Sequence, residues 1–471
     1  MRSTWALQVT PLHRQETDSP DAGGFAVNHI SFGAAIDEIV SGSAEASLAN
    51  IMRSVCEFAG LGDVGRTGLS VKEAAERLRR FAYIERRLMF IQAGFLVTVP
   101  ERNFKVWLAR LQYQASRRAD ALRKRLPELR LAKTKVDAVP SARLSGWLDH
   151  LSHAPDTTSK WLGLRSVYRQ LLGAYKSYLE TTNPLADAPT VELLEPMAHQ
   201  LTRHCQMFDS ENELSHLPPE SLQNGKRFAA ALDRCLGVTS DVDSAASSST
   251  AIQNAPATIP HKTFRDSSFP RVWDYIAPPQ SDVAQHFAYM IGLRLSEINV
   301  AEGLAIVLNE TVEKPWEFYF DLSRHLWDEV RHSLMGEAAI VETLGTRDQI
   351  PIRDYEGVYC MEASPLEQYA TLGLEIEGAN MKYPVGKRGE WEFCRDTAKH
   401  HLMALFQDYD WADEVVHVNI AKQQLSHWFQ GGAAGLSEFA AKGKLNRSKV
   451  KHRHPAVPMP VLEKLEPSKK D

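Results

Sequence analysis

Cysteine is scarce in this chain of 471 residues: Cys56, Cys205, Cys235, Cys360 and Cys394, with no C-x-x-C pair among them. That argues against a disulfide framework and a zinc–thiolate site, and makes a reducing compartment the default. No run of about 18 uncharged apolar residues occurs, so no transmembrane helix is expected. The opening "MRSTWALQVTPLHRQ" lacks the continuous apolar core of a signal peptide, and a soluble, cytoplasmic protein is the expectation. The formal charge of −5 gives no overall case for a nucleic-acid or polyanion binder. Basic residues concentrate at "RRADALRKRLPELRLAKTK" and "KGKLNRSKVKHRHP", runs that read as solvated helix faces or a mobile end. Strand-like alternation and hairpin signals are sparse.

Helical periodicity is what the chain has instead. Apolar residues recur at three- and four-residue spacing in "VKEAAERLRRFAYIERRLMFIQAGFLV" and again in "SDVAQHFAYMIGLRLSEINVAEGLAIVL". The expected class is all-α, with two helical domains. Residues 1–24 read as a flexible lead-in and 25–236 as the first helical domain. Residues 237–262, rich in Ser, Ala, Thr and Pro, read as a disordered linker. Residues 263–440 form the second domain, and 441–471 a basic flexible tail. Within the second domain the pattern predicts four long segments near 282–310, 316–343, 364–382 and 391–430, which suggests a four-helix bundle.

Two short stretches carry the chemistry. "HLWDEVRHSLMGE" and "WADEVVHVNI" each contain Asp-Glu-x-x-His inside an apolar helical pattern. Glu-x-x-His alone is weak evidence, since about one match is expected by chance. Glu213-x-x-His216, followed by Pro218 and Pro219, is such a match. On a helix, positions three apart differ by about 60°, so Glu329 and His332 project together, as do Glu414 and His417. They fall on the second and fourth segments. A dinuclear site also needs one carboxylate from each of the other two. The first segment offers Glu297 and Glu302; the third offers Glu375 and Glu377.

In the order Glu, Glu-x-x-His, Glu, Glu-x-x-His, the region from about 282 to 430 resembles a ferritin-like di-iron carboxylate bundle. It is most similar to an uncharacterised ferritin-like branch, through "SEINVAEGLAI", "DEVRHSLM", "LEIEGANMKY" and "DEVVHVNIAK". The family's spacing selects Glu297, 32 residues before Glu329, over Glu302, and its "EGANMKY" segment selects Glu377 over Glu375. The metal set implied is therefore Glu297, Glu329, His332, Glu377, Glu414 and His417, holding two iron ions, with manganese also possible. The resemblance further implies that Asp328 holds His417 and that Asp413 holds His332. His325, one turn before Glu329, reads as a packed histidine rather than a third imidazole ligand. Four ionised Glu balance two ferrous ions, and oxygen plus imidazole ligation suits iron or manganese better than structural zinc.

The first half invites the same alignment. With Glu85 on Glu297, Gln114 falls on Glu329 and Arg117 on His332. Glu180-x-x-Asn183 echoes Glu377-x-x-Asn380, and Leu201-x-x-His204 takes the place of the last motif. This reads as a degenerate ferritin-like bundle without metal, in which Arg117 pairs with Glu85 or Glu180. The function expected is a di-iron oxidase or oxygenase that activates O2 to oxidise an organic substrate, supplied with electrons by a separate ferredoxin or reductase. A homodimer is possible. The alternative is a ferritin-like metal-binding protein that handles iron, or binds RNA or an acidic partner without catalysis.

Overall fold

The computed structural model describes residues 55–209, 219–236 and 255–460. The chain divides into two compact units, residues 1–64 and 65–471. In the first unit the described residues, 55–64, contain one helical turn at 55–58. The expected lead-in 1–24 lies outside the described residues, as do 237–254 of the expected linker.

Among its described residues the second unit is mainly helical. Helix α1 (Val71–Thr98) starts at a capping box: Glu73 N–H donates to Ser70 Oγ, and Ser70 N–H donates to the Glu73 carboxylate. It packs along α2 (Arg102–Glu128). Helices α3 (Ala142–Ser152), α4 (Thr157–Thr181), α5 (Ala188–Asp209) and α6 (Pro219–Leu236) complete the first half. In the second half, α7 (Val283–Ser296) and α8 (Ile298–Glu310) are separated by a break at Glu297. Asn299 stabilises the break, its amide donating to Ser296 O at 2.8 Å and to Arg353 O at 2.7 Å. The long α9 (Trp316–Leu344) starts after Pro315 and ends at Gly345, whose φ of +76° needs a residue without Cβ. A parallel pair of two-residue strands, β1 (Arg271–Val272) and β2 (Ile352–Arg353), ties the lead-in of α7 to the exit of α9.

Beyond β2 come α10 (Tyr355–Glu362) and α11 (Pro365–Ala370), which runs on through a π-helical turn, Thr371–Ile376, to a last α turn, Glu377–Asn380. A short α12 (Lys387–Glu392) passes into a second π-helical turn, Phe393–Thr397. The segment expected as one helix over 391–430 is thus interrupted, with Lys399 at φ +52° and His400 Nδ1 accepting from Met403 N–H to cap α13 (His401–Trp428). Residues 441–451, expected as tail, instead continue α14 (Gly432–Lys451), which packs on α10 and α11. Its small and apolar positions Leu436, Ala440, Gly443 and Val450 are buried, a stripe masked in the sequence by the surrounding lysines.

The two halves meet through α1 against α8 and α2 against α9. Polar groups are buried there: Lys105 Nζ sits 2.7 Å from Glu302, and Gln112 donates to Ser323 O at 2.7 Å. Arg265 also donates to Glu302, at 2.6 Å. Glu302 is therefore fully spent in an ion trio, which removes it as a candidate ligand. In the first half, Arg118 rather than Arg117 enters the core. It donates to both oxygens of Glu85, at 2.6 and 2.8 Å, with Tyr175 donating to the same carboxylate. Arg117 and Glu180 are exposed and Gln114 is half-buried. The aligned register misses by one residue because helical periodicity alone does not distinguish adjacent Arg residues.

Candidate metal centre

Helix α9 presents His325, Glu329 and His332 on one face, and α13 presents Asp410, Glu414 and His417 at identical spacing. Glu297 sits at the α7–α8 break, and Glu377 directly follows the first π turn. An inserted residue in a helix redirects the side chains after it, a common device at functional sites. Two glycines allow the close approach. A Cβ at Gly336 would lie 2.8 Å from Arg294 Cβ, and one at Gly373 would lie 2.2 Å from Ala421 Cβ.

These side chains form two adjacent groups: His325, Glu329, Glu377 and His417, and Glu297, His332, Asp410 and Glu414. Within each, the possible ligand atoms all lie within 4.8 Å of one another. All are buried except Glu297, which is partly exposed. The pairing is crossed, since Glu329 shares its group with His417 and Glu414 with His332. In the first group His325 Nε2 is 2.8 Å from Glu377 and 3.2 Å from Glu329, and the His325 and His417 rings stack 3.8 Å apart. In the second, His332 Nδ1 is 3.2 Å from Asp410 and 3.5 Å from Glu297.

Both motif histidines are held from behind, as the resemblance implied. His417 Nε2 is 3.3 Å from Asp328, and His332 Nε2 is 3.3 Å from Asp413. Arg331 donates to both aspartates, at 2.6 and 3.0 Å, so one guanidinium orients the two pairs. In the neutral imidazole that a metal needs, a carboxylate on Nε2–H leaves the Nδ1 lone pair facing the group interior. Neither Nδ1 has a hydrogen-bond partner there, nor do Glu297 Oε2, Glu329 Oε1, Glu377 Oε2 or Glu414 Oε2. Buried polar atoms left so are costly unless something else occupies them, and a cation suits this donor set.

The two groups differ in charge. Lys387 Nζ lies 2.8 Å from Asp410 and 3.0 Å from Glu414, and Arg294 contacts Glu297 at 3.0 Å and also Asp410. Burial pulls the Lys387 amine down, but Asp410 and Glu414 outweigh it and keep it protonated. Burial opposes ionisation of Glu414 as well, yet Lys387 holds its carboxyl below the usual range. Among the described residues the first group has no lysine or arginine in contact, and its own His325 supplies the positive charge. There burial raises Glu377, while its carboxylate and that of Glu329 overcome burial to push His325 up to about 10. Burial likewise opposes charge on His332, but Asp410 and the neighbouring acids push it up to about 9.

All six ligand candidates from the sequence fall within these two groups. Glu375 does not; it turns outward to Lys444 at 3.1 Å. The sequence reading missed Asp410, Lys387 and Arg294, and set His325 aside. One signal was available: His325 and Asp410 each stand four residues before the motif Glu, so both helices carry an acid or imidazole in an x-x-x-Glu-x-x-His frame. Nothing local marked Lys387. Among the described residues, both groups able to hold a metal ion lie in the second half. Comparison with protein-family models, with curated proteins and with solved structures yields no match to this chain.

Proposed function

We propose that the second half, expected as 263–440 and extended to 451 by α14, forms a ferritin-like bundle with a dimetal centre that activates O2 to oxidise an organic substrate. The described helices of the first half, α1 to α6, would be a second, degenerate bundle. The observation that carries this reading is the pair of adjacent carboxylate–imidazole groups with unpartnered, inward-facing ligand atoms. Oxygen and nitrogen donors without thiolate favour iron, with manganese possible. His325, Glu329, Glu377 and His417 would hold one ion, and Glu297, His332, Asp410 and Glu414 the other. Bound ferrous ions would supply the electrons for O2 reduction, and a separate ferredoxin or reductase would restore them.

The chain's own residues have definable tasks. Asp328 and Asp413, linked by Arg331, fix the tautomer and direction of His417 and His332. Lys387 Nζ lies within 3.0 Å of Asp410 and Glu414, so it balances charge in the metal-free centre. In the first half Arg118 occupies Glu85, which supports a structural rather than metal-binding role. No helix among the described residues is long and apolar enough to cross a membrane.

A second reading, a metal-binding protein without catalysis, draws support from Lys387 and Arg294, which neutralise the second group and so favour an ion in the first alone. The discriminating experiment is O2 uptake by anaerobically Fe(II)-loaded protein. Uptake that tracks oxidation of two irons per chain, lost in Glu329→Gln, supports the oxidase. Bound iron that leaves O2 unconsumed overturns it and favours the second reading.

A further inference from the structure

A cavity of about 440 Å³ reaches the centre, its wall including Glu297, Glu329, Glu377 and Glu414. That is an ordinary size for a small-molecule site. Leu293, Val300, Leu372 and Ile376 give the same wall an apolar face. The wall also carries four cations well removed in sequence from the centre's ligands: Arg353 beside α10, and Lys444, Arg447 and Lys451 on α14.

Those cations are short of acid. Arg353 and Arg447 both donate to a single oxygen, Glu356 Oε1, to which Tyr355 Oη also donates. Lys451 shares Asp274 with Arg353, and Lys444 takes Glu375. These four cations thus share three carboxylates, while the rest of the wall carries Glu297, Glu329, Glu377, Glu390 and Glu414 beside Arg294. Arg353, Arg447 and Lys451 also lie 5.7, 5.2 and 5.5 Å from the centroid of the Tyr355 ring, so three like charges crowd one aromatic group. A guanidinium has five N–H donors in a fork that matches a planar anion, and two of them converging on one oxygen leave donors to spare. Independently, Gln368 lines this cavity at 2 % exposure with neither its amide oxygen nor its nitrogen partnered. A buried amide in that state is costly and calls for a polar ligand atom.

We propose that the cavity binds a small amphipathic organic anion, its acidic head on Arg353 and Arg447, a polar group on Gln368 and its apolar body along Leu293, Val300, Leu372 and Ile376. That this ligand is the substrate rests on the oxidase reading; that the cavity binds it does not.

The test is calorimetric titration of the full, metal-free chain with octanoate, octyl phosphate and octan-1-ol. One anion per chain should bind at least tenfold tighter than the alcohol, and whichever anion binds better identifies the head group as carboxylate or phosphate. Arg447→Gln should weaken the anion at least tenfold and Arg447→Lys less, both with unchanged helical circular dichroism. Because the titration uses the metal-free chain, anion binding is scored separately from whether the centre takes up iron. Equal binding of alcohol and anions, no saturable anion site, or indifference to Arg447→Gln overturns the proposal.

Discussion

Lys387→Met is the substitution that tests most sharply how the centre is balanced. Methionine keeps most of the apolar stem and removes the ammonium, its charge and its hydrogen-bond donors together. In the metal-free protein Asp410 and Glu414 lose an ammonium at 2.8 and 3.0 Å, although Arg294 still contacts Asp410. Stranding a buried carboxylate by deleting its partner costs about 3–5 kcal/mol. For the roughly 400 residues of the larger unit, unfolding entropy is about 0.85 kcal/mol/K, so the metal-free melting temperature should fall by about 4–6 °C. Metal binding should move the other way. Two unit charges about 4 Å apart interact by about 4 kcal/mol at an effective dielectric of 20, so an ion entering the second group works against Lys387. Wild type should therefore take up Co(II) or anaerobic Fe(II) in two resolved steps, the second weaker. The variant should bind the second ion at least tenfold tighter. Scanning calorimetry without metal and titration calorimetry with it measure both quantities. A metal-free melting temperature within 1 °C of wild type, or a second step unchanged or weaker, would refute the reasoning.

Other expectations are more local. Asp328→Asn should weaken metal binding by about 10–100-fold through misorientation of His417, measurable by competition with a chelator; unchanged affinity would show that the hydrogen bond does not matter. Lys105→Met should cost about 3–5 kcal/mol in denaturant unfolding, because it unbalances Glu302 and removes the donor to Leu96 O; a loss under 1 kcal/mol would contradict that. Gly336→Ala should cost about 1–3 kcal/mol by forcing α9 away from α7, and should loosen the Glu297–His332 group in the same metal competition. Burial, aided by Arg118 and its neighbours, pulls buried His204 down to about 3. The unfolded chain then binds a proton that the folded chain refuses, so this contribution is complete above pH 6.5 and is lost as pH falls towards 3. At pH 5 the loss is about 2 kcal/mol, and His204→Phe should flatten that part of the stability–pH curve.

The centre was legible in the sequence to the extent that its chemistry is local. Glu329 with His332 and Glu414 with His417 lie three apart on single helices, where spacing alone fixes a shared face. Glu297 and Glu377 needed the resemblance, because each sits where the helix is irregular: one at a break, the other after a π turn. Periodicity cannot resolve a choice between Glu375 and Glu377 across such a turn. Lys387 and Arg294 reach the centre through tertiary packing, and the sequence around them reads as ordinary surface charge. The same limit explains α14, whose buried stripe is hidden among lysines, and the one-residue slip from Arg117 to Arg118. Glu302 shows the converse: an acid at plausible spacing whose partners, Lys105 and Arg265, come from distant segments.

The most direct measurement is iron content per chain after anaerobic Fe(II) loading and desalting, for wild type and for the Glu329→Ala, Glu414→Ala double variant. The account predicts about two irons in the parent and almost none in the variant, since each group loses a carboxylate. Near-zero iron in the parent, or iron retained by the double variant, would contradict it.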